Sequence, residues 1–353
     1  MAVTPRGTDW SLAALVALLA VTGALTALAG SQGGAWVFAA HGAGGFALAA
    51  VLGGKARRVW GRLARPRRWT GRARAGVLAA VLVVATLASG WAWSSGVALY
   101  GLGYNLLNLH VVLGVALALG VLAHAFVRAR PARRADVTDR RQFLAAAAVG
   151  AGALLAWEAQ RPLQRALGWR GVERRFTGSY EATRAGGNAF PATSWVADRP
   201  RALDRTSYRL AVAGRVRTPL SLGAGELDGG DELTATLDCT GGFYATRRWR
   251  GTALGALLDR VGAQGSHVRV ISHTGYRWSL PVDEARRCLL ATRAGGEPLS
   301  HGHGAPLRLV APGRRGFEWV KWVVRIEVHD GPDAGAAAST VWSSFTAEGR
   351  GEA

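Results

Sequence analysis

The stretch LTATLDCTGGFYATRRWRG, residues 233–251, places Cys239 between a strand-like run and a pair of glycines. The run LTATL alternates apolar and β-branched residues, which predicts a strand that ends at Asp238, and Gly241-Gly242 frees the backbone just beyond it. A thiolate at a strand end is held rigidly and is a natural ligand for a soft metal centre. The alternative is a buried cysteine that packs as a small hydrophobic residue.

A second informative stretch, HGHGAPLRLVAPGRRGFEWVKWVVRIEV, covers residues 301–328. Together with the cysteine strand it resembles the molybdenum-cofactor domain of the sulfite oxidase superfamily. The resemblance implies that Cys239 is the thiolate ligand of molybdenum, that His303 and Arg308 contact the pterin and its phosphate, and that Lys321 lines the same cofactor wall. These residue types suit a phosphate, because arginine is a bidentate donor and lysine a point charge.

The segment NAFPATSWVADRP, from Asn188, resembles the entry to the same cofactor domain, where a stretch before the first core strand lines the pterin. The resemblance implies that Asn188, Ser194 and Trp195 bind the cofactor. An asparagine and a tryptophan are equally common as turn and core residues, and that alternative stays open. The resemblance covers residues 188–328.

The sequence departs from the sulfite-oxidising members of this superfamily at two places. Those members follow the cysteine with Ala-Gly-Asn-Arg-Arg, whereas here Thr240 and two glycines follow, and Arg247 and Arg248 lie further on. The tyrosine expected near the carboxyl terminus is also replaced, since Trp342 and Phe345 are the aromatic residues there. The sequence therefore does not name the substrate.

The first 157 or so residues are unlike the rest, because they consist mostly of long blocks of Ala, Leu, Val and Gly. A membrane-spanning helix needs about 18 or more predominantly apolar residues. Four blocks approach or exceed this length and a fifth is shorter: Leu12–Ala29, Ala35–Leu52, Ala75–Trp93, Leu106–Val127 and Phe143–Trp157. The sequence predicts a multi-pass protein of the cytoplasmic membrane.

Arginine-rich loops predict the orientation of these spans. Basic residues cluster between spans two and three and again after span four, whereas the alternate connections, 30–34 and 94–105, carry no charge. By the positive-inside rule the amino terminus is cytoplasmic, and the fifth span delivers the C-terminal domain to the extracytoplasmic side. The sequence RRQFL at 140–144 is either a twin-arginine export signal or a pair of ordinary flanking arginines.

Most of the formal net charge of +20 sits in the same loops. Arginines on the cytoplasmic side of a membrane protein face anionic lipid headgroups, so membrane lipid is the expected partner and no nucleic acid is expected. The chain has two cysteines, Cys239 and Cys288. A disulfide between them would consume the proposed metal ligand, so none is expected.

Histidines inside predicted spans are costly in lipid and therefore point to function. His41 in span two and His110 in span four lie at similar depths from the outer face, so the two imidazoles are able to meet, as a b-type haem requires. His124 follows His110 by fourteen residues and returns to nearly the same helix face roughly 21 Å deeper. One haem on His41 and His110, two haems that include His124, and histidines that only bond to neighbouring helices are three open alternatives.

The fold class expected is an α-helical transmembrane bundle of four spans plus a fifth anchoring span, followed by an α+β, mostly β, sulfite oxidase-like molybdopterin-binding domain. Its segments are a cytochrome b-like bundle at 1–130, a cytoplasmic loop, fifth span and connector at 131–187, and the oxidoreductase domain at 188–353. Within that domain, 208–216 and 276–280 are predicted strands, 251–261 a helix, and 282–290 a short helix that contains Cys288.

Two functions fit these features. The first is a membrane-anchored molybdenum oxidoreductase that acts on an oxo-acceptor or oxo-donor, either a small molecule or protein-bound. It would exchange electrons through the haem with the quinone pool or another membrane redox partner. The second is a membrane electron-transfer protein whose outer domain is a non-catalytic binding module.

Overall fold

The computed structural model describes residues 4–66, 70–101, 104–128, 140–194 and 197–352. The chain divides into two compact units, Met1–Gly178 and Ser179–Ala353. The three segments expected from the sequence stay a prediction.

The first unit is helical. Its helices are α1 Pro5–Thr26, α2 Ala35–Leu63, α3 Gly71–Ser94, α4 Leu106–Arg128 and α5 Arg140–Ala166. Among the described residues, four helices are long and apolar enough to cross a membrane, namely Pro5–Thr26, Gln32–Leu63, Ala73–Ser94 and Arg140–Ala166, and Leu106–Val121 is a shorter apolar helix. The span expected to be short, the fifth, therefore lies in a helix of 27 residues.

Apolar side chains cover the outside of this unit as well as its core. Val16, Leu48, Val83 and Leu117 form a small buried cluster between helices. Leu78 and Leu155, by contrast, are 70% and 71% exposed. A helix that is apolar all round is suited to lipid rather than water, which supports a membrane anchor.

Polar contacts join the ends of α3 and α5. The Gln160 amide donates to the Ser94 hydroxyl at 2.9 Å, and the Gln164 amide donates to the Ser95 hydroxyl at 3.2 Å. Residues 160–184, within the expected connector, continue α5 to Ala166 and then form a 3₁₀ turn, Arg170–Glu173. The polar sequence alone does not reveal these side-chain contacts.

The second unit is mostly β. The first two strands of the chain, β1 Tyr100–Gly101 and β2 Tyr104–Asn105, form a short pair in the first unit. The strands of the second unit are β3 Tyr180–Glu181, β4 Arg209–Gly214, β5 Leu220–Gly223, β6 Asp231–Asp238, β7 Phe243–Ala253, β8 His267–Ser272, β9 Arg277–Pro281, β10 Leu289–Ala294, β11 Glu297–Pro298, β12 Arg308–Val310 and β13 Val323–His329. Short helices are α6 Leu254–Arg260, α7 Val282–Ala285, α8 Ala336–Trp342 and α9 Ala347–Arg350.

These strands form two sheets within the described part of the unit. One contains β11, β10, β7 and β3 in order, with β12 paired to β10 and β6 paired to β7. The other has the order β5-β4-β13-β8-β9. Buried tryptophans Trp249 and Trp319 pack edge to face in the core, with ring centroids 5.7 Å apart. The α+β class expected from the sequence agrees with this arrangement.

Two predicted helices are corrected by the structure. Residue Gly251, expected to begin a helix, lies in β7, where an added Cβ would stand 2.0 Å from the Leu290 carbonyl of β10. The helix begins only at Leu254. The expected helix at 282–290 ends at Ala285, and Cys288 follows it, buried, just before β10. Apolar periodicity over so few residues does not separate a helix from a buried strand.

Candidate active site

The strand predicted before Cys239 is β6, which pairs antiparallel with β7 from Asp231↔Gly251 to Asp238↔Tyr244. Cys239 begins the turn between them. Its amide donates to the Phe243 carbonyl at 2.8 Å, and its carbonyl accepts from the Gly242 amide at 3.0 Å. Gly242 has φ +93°, a left-handed conformation that favours glycine. The half-exposed thiol is therefore presented by a closed, well-bonded turn.

Small groups surround the Cys239 sulfur. The Gly241 amide donates to Sγ at 3.3 Å, and the Thr193 hydroxyl lies 3.5 Å from Sγ. These two contacts hold the sulfur in one position within the turn.

Arg308 lies on β12, enclosed by protein, with 5% of its surface exposed. Its Nη1 donates to the His303 carbonyl at 3.0 Å, whereas its Nε has no hydrogen-bond partner among the described residues. The guanidinium stands over the rings of Trp249 and Trp319 at 5.5 and 5.9 Å from their centroids. Burial lowers the pKa of Arg308 to about 10. An enclosed cation of this kind is costly unless an anion accompanies it.

Lys321 is a second cation at the same place. Its Nζ donates to the Thr193 carbonyl at 2.8 Å and to the Gly302 carbonyl at 3.0 Å. Burial, and then the charge of Arg308, lower the pKa of Lys321 to about 7. Gly304, at φ +106°, packs against it, since an added Cβ would stand 3.0 Å from the lysine Cβ. Two neighbouring cations with carbonyl partners form a basic pocket wall.

His303 lies between these cations and the entry segment. Its Nε2 is 2.9 Å from the Phe190 carbonyl and its Nδ1 is 2.7 Å from the Ser300 hydroxyl. Because a carbonyl only accepts, Nε2 carries the proton and Nδ1 accepts from the hydroxyl. Burial lowers the pKa of His303, consistent with a neutral ring. Both ring nitrogens of His303 are thus hydrogen-bonded within the protein. The backbone carbonyl of His303 orients Arg308.

The side-chain amide of Asn188 is also used within the protein. Nδ2 donates to the Pro298 carbonyl at 2.9 Å, and Oδ1 accepts from the Ser300 amide at 3.0 Å. Asn188 thereby fastens the entry segment to the loop that carries His303. Ser194 is half-buried beside Thr193, and Trp195 lies outside the described residues.

The two arginines that follow the cysteine do not lie at the thiol. Arg247 is buried on β7, where Nη2 donates to the carbonyls of Arg184 and Ala189 at 2.9 and 3.1 Å. Arg248 is exposed and lies 3.7 Å from Glu232. Cys239 and Cys288 are both free thiols in the structure.

In the helical unit, the rings of His41 on α2 and His110 on α4 lie side by side. Their centroids are 6.0 Å apart and their planes are nearly perpendicular, at 89°. His110 Nδ1 is 2.9 Å from the Thr86 carbonyl, and His41 Nδ1 is 3.1 Å from the Thr22 hydroxyl, which itself donates to the Leu18 carbonyl at 2.8 Å. Both Nδ1 atoms therefore carry the proton, which leaves the lone pair on each Nε2.

Glycines make room for these two rings. A Cβ added at Gly90 of α3 would stand 2.7 Å from His110 Cε1, and one added at Gly23 of α1 would stand 3.2 Å from His41 Cε1. Each histidine is thus packed against a neighbouring helix backbone. The side chain of His124 lies outside the described residues, so the structure describes one histidine pair.

The C-terminal unit is similar to known proteins. Residues 197–337 match the family model described as "Oxidoreductase molybdopterin binding domain". These residues are a molybdopterin-binding oxidoreductase domain of the sulfite oxidase superfamily. The match covers the strand of Cys239 and the segment with Arg308 and Lys321.

Three relatives illustrate the range of this superfamily. The protein-methionine-sulfoxide reductase catalytic subunit of Xanthomonas campestris is 32% identical over 149 residues, which cover 36% of this chain and 46% of that protein. Human mitochondrial sulfite oxidase is 32% identical over 162 residues, 36% of this chain and 30% of that protein. Barley nitrate reductase is 30% identical over 163 residues, 35% of this chain and 18% of that protein. The chain thus spans less than half the length of these relatives.

The sequence did not predict several residues of the site. Thr193, beside the thiol, lies in the quoted entry segment but carries no distinctive pattern. Asp238 and Arg315 form a buried ion pair directly beneath the turn, at 2.6 Å. Asp238 ends the predicted strand before Cys239, but Arg315 lies in the turn-like sequence PGRRG, and no sequence pattern joins the two.

Proposed function

We propose that this protein is a membrane-anchored molybdenum-cofactor oxidoreductase whose active site is built around Cys239 and lies outside the cytoplasmic membrane. The observation that carries the proposal is the enclosed Arg308, whose Nε has no partner among the described residues and which stands near a second cation, Lys321. A phosphate would supply the missing negative charge and acceptors. The half-exposed thiol of the neighbouring turn would supply the metal ligand.

The donor set at this site fits molybdenum-molybdopterin. Arg308 and Lys321 would bind the phosphate, Cys239 would ligate the metal, and His303 and Asn188 would hold the loops that face the pterin. Ser194 and Trp195 are proposed along the same wall. Among the described residues no group of three His, Cys, Asp or Glu side chains is placed to hold a metal, so the remaining ligands would come from the cofactor. The bound metal would supply two-electron oxygen-atom chemistry.

For the helical unit we propose a b-type haem on His41 and His110. The support is threefold: both Nε2 atoms hold lone pairs, both Nδ1 atoms are fixed by hydrogen bonds, and the rings are adjacent. The ring centroids lie 6.0 Å apart, and the two Nε2 atoms would hold the haem iron. The haem would exchange single electrons with the quinone pool or another membrane redox partner.

The substrate we propose is a neutral sulfoxide rather than an oxyanion. One relative is named as a protein-methionine-sulfoxide reductase. Sulfite and nitrate are anions, and a site for them needs cations beside the metal. Here Arg247 is directed to backbone carbonyls and Arg248 lies beside Glu232. The balanced reaction is sulfoxide plus two electrons and two protons to sulfide plus water, with the electrons supplied by quinol through the haem.

Cofactor analysis of the full-length protein tests the enzyme proposal. After expression in a host that makes the molybdenum cofactor, purified protein in detergent should contain one molybdenum per chain and show the reduced-minus-oxidised spectrum of a low-spin haem. Molybdenum far below stoichiometry, with the haem present, would instead support the rival function of a membrane electron carrier with a non-catalytic outer module.

The haem spectrum also tests the substrate. Methionine sulfoxide added to the dithionite-reduced protein, after removal of excess reductant, should oxidise the haem, and nitrate should not. Sulfite added to the oxidised protein should leave the haem oxidised. Haem reduction by sulfite would show that the site accepts an oxyanion donor and would exclude the sulfoxide assignment.

A further inference from the structure

Arg315 connects the turn of Cys239 to the segment that carries Lys321. It lies between β12 and β13, and forms an isolated bridge with Asp238 at the end of β6. Its guanidinium is divided between two acceptors: Nη1 donates to Asp238 Oδ1 at 2.6 Å, and Nη2 donates to the Cys239 carbonyl at 3.3 Å. The Arg315 side chain thus bonds both to Asp238, the residue before the thiol, and to the backbone of Cys239.

The pair is almost fully enclosed, with Arg315 4% and Asp238 1% exposed. Asp238 also accepts from the buried hydroxyl of Ser179 at 2.7 Å. Burial of two charges carries a large desolvation penalty, and an apolar pair of similar size is often as stable. Stability alone is therefore a poor reason for an ion pair at this place, whereas fixed geometry is a good one.

The backbone next to Arg315 reinforces the contact. A Cβ added at Gly316 would stand 3.1 Å from the Cα of Cys239, so the two segments touch directly. On the other side the Arg315 amide donates to the buried Glu318 carboxylate at 3.1 Å. The chain from 315 to 318 is thereby held from both sides, three residues before Lys321.

We infer that Arg315 is a positioning residue: through Asp238 and the Cys239 carbonyl it fixes the thiolate turn relative to the cofactor wall that contains Lys321. The inference rests on the proposed role of Cys239 as the metal ligand. Residues that orient metal ligands commonly change metal affinity or activity by about 10- to 100-fold when altered. A donor on the carbonyl of the ligand residue also withdraws electron density from it, which raises the reduction potential of the metal.

The variant Arg315→Lys tests this, because an ammonium keeps the charge beside Asp238 but does not span both acceptors. In cofactor-free full-length protein, hydrogen exchange at the amides of Cys239 and Gly242, both bonded across the turn, should be about tenfold faster, as expected for one lost charge-assisted hydrogen bond. Alkylation of Cys239 should be faster as well. Cys288 is an internal reference, since burial raises its pKa to about 12.

The matched control is Arg269→Lys in the other sheet. Arg269 contacts Glu327 at 3.0 Å and Asp333 at 2.8 Å, so the same change removes an arginine that contacts two carboxylates. Arg269 lies on β8, in a different sheet from the Cys239 turn. It should leave exchange at Cys239 and Gly242 unchanged. The double variant Asp238→Asn with Arg315→Gln removes both charges together and guards against a misfolded single variant.

In the loaded protein, Arg315→Lys should lower the reduction potential of the molybdenum, shift its EPR spectrum and reduce kcat about tenfold. KM should be unchanged, because Arg315 is buried within the protein. Turn amides that exchange as in the wild type in both the Lys and the double variant would overturn the inference. Faster exchange at the turn amides together with an unchanged molybdenum reduction potential, EPR spectrum and kcat would also overturn it. Failure of the proposed function looks different: Cys239→Ser would then keep full molybdenum and activity, whatever Arg315 does to the turn.

Discussion

His41 and His110 stand on two regular helices, whereas Cys239 stands on a turn among loops that come from four separate parts of the chain. The histidine pair needs only two side chains, each fixed by one hydrogen bond to a neighbouring helix. The thiol site needs the entry segment, the β6–β7 turn, the His303 loop and the segment before β13. Helix spacing therefore predicts the first site, and tertiary structure alone assembles the second.

The two sites also differ in charge. The polar partners of the two histidine rings are uncharged, namely hydroxyls and a backbone carbonyl. The thiol site, by contrast, gathers Arg308 and Lys321 without a carboxylate bonded to either among the described residues. A neutral site suits a cofactor held by coordination bonds, and a cationic site suits one held by its phosphate. Five sets of changes test this difference.

The largest effect is expected from Cys239→Ser. A hydroxyl is a hard, weakly acidic ligand and replaces thiolate poorly at a soft metal. Activity with methionine sulfoxide should fall by at least three orders of magnitude, roughly the loss seen when an essential active-site group is removed, while the haem spectrum is retained. The control is Cys288→Ser, a buried thiol outside the site, which should retain activity. Equal activity of both variants would contradict the ligand role.

If His41 and His110 hold a haem as proposed, replacement of either should abolish the haem spectrum but leave molybdenum in place. His41→Ala and His110→Ala would each remove one of the two proposed ligands, and a low-spin haem requires both. His124→Ala should leave the spectrum intact with one haem and remove part of it with two. A spectrum that survives both His41→Ala and His110→Ala would mean that other ligands hold the haem.

Glycine variants test the position of the His110 ring without removal of a proposed ligand. Gly90→Ala adds a methyl group 2.7 Å from His110 Cε1, so the ring must move and the haem absorption should shift or weaken. Gly76→Ala, on the same helix, meets no atom within 4 Å and should have no effect. Equal spectra in the two variants would argue that the pose of His110 is not critical.

The histidine pair was accessible from sequence because apolar runs fix depth and arginine loops fix direction. The strand before Cys239 was accessible because alternation and glycines mark it. The Asp238–Arg315 pair and the contact of Thr193 with the thiol were not accessible from sequence, since each joins residues far apart in the chain. The Nε of Arg308, without a partner among the described residues, was not accessible either, because its burial depends on the tertiary structure. The helix expected from Gly251 failed for a similar reason: close approach of β10 requires a glycine in a strand there.

A smaller effect is expected from Arg308→Ala. The loss of one charge-assisted hydrogen bond costs roughly 1.5 to 3 kcal/mol, so cofactor affinity should fall about 10- to 150-fold. Titration of cofactor-free protein with isolated cofactor measures it, and the haem should be unaffected. Arg293→Ala, which removes an ion pair with Asp228 at the far end of β10, is the control. Unchanged affinity in Arg308→Ala would refute the phosphate-binding role.

The smallest effect is the pH dependence that Lys321 gives the cofactor-free protein. Its pKa is about 7 in the folded state and 10.5 as the ordinary value. Between these values the unfolded chain binds more protons than the folded one, so the free energy of unfolding rises with pH. The rise is at most about 1.4 kcal/mol per pH unit, and it levels off below pH 7, where lysine is protonated in both states.

Thermal unfolding of cofactor-free protein in detergent, measured between pH 7 and pH 9, tests this term. Lys321→Met should be more stable than the wild type at pH 7, and the difference should shrink as the pH rises, because the wild type then holds a neutral amine. Bound cofactor should remove the effect in the wild type, since a phosphate beside Lys321 stabilises the ammonium and returns its pKa toward the ordinary value. A constant difference between Lys321→Met and wild type across this range would mean that the lysine stays protonated in the empty site, and that the basic wall is more solvated than its enclosed contacts indicate.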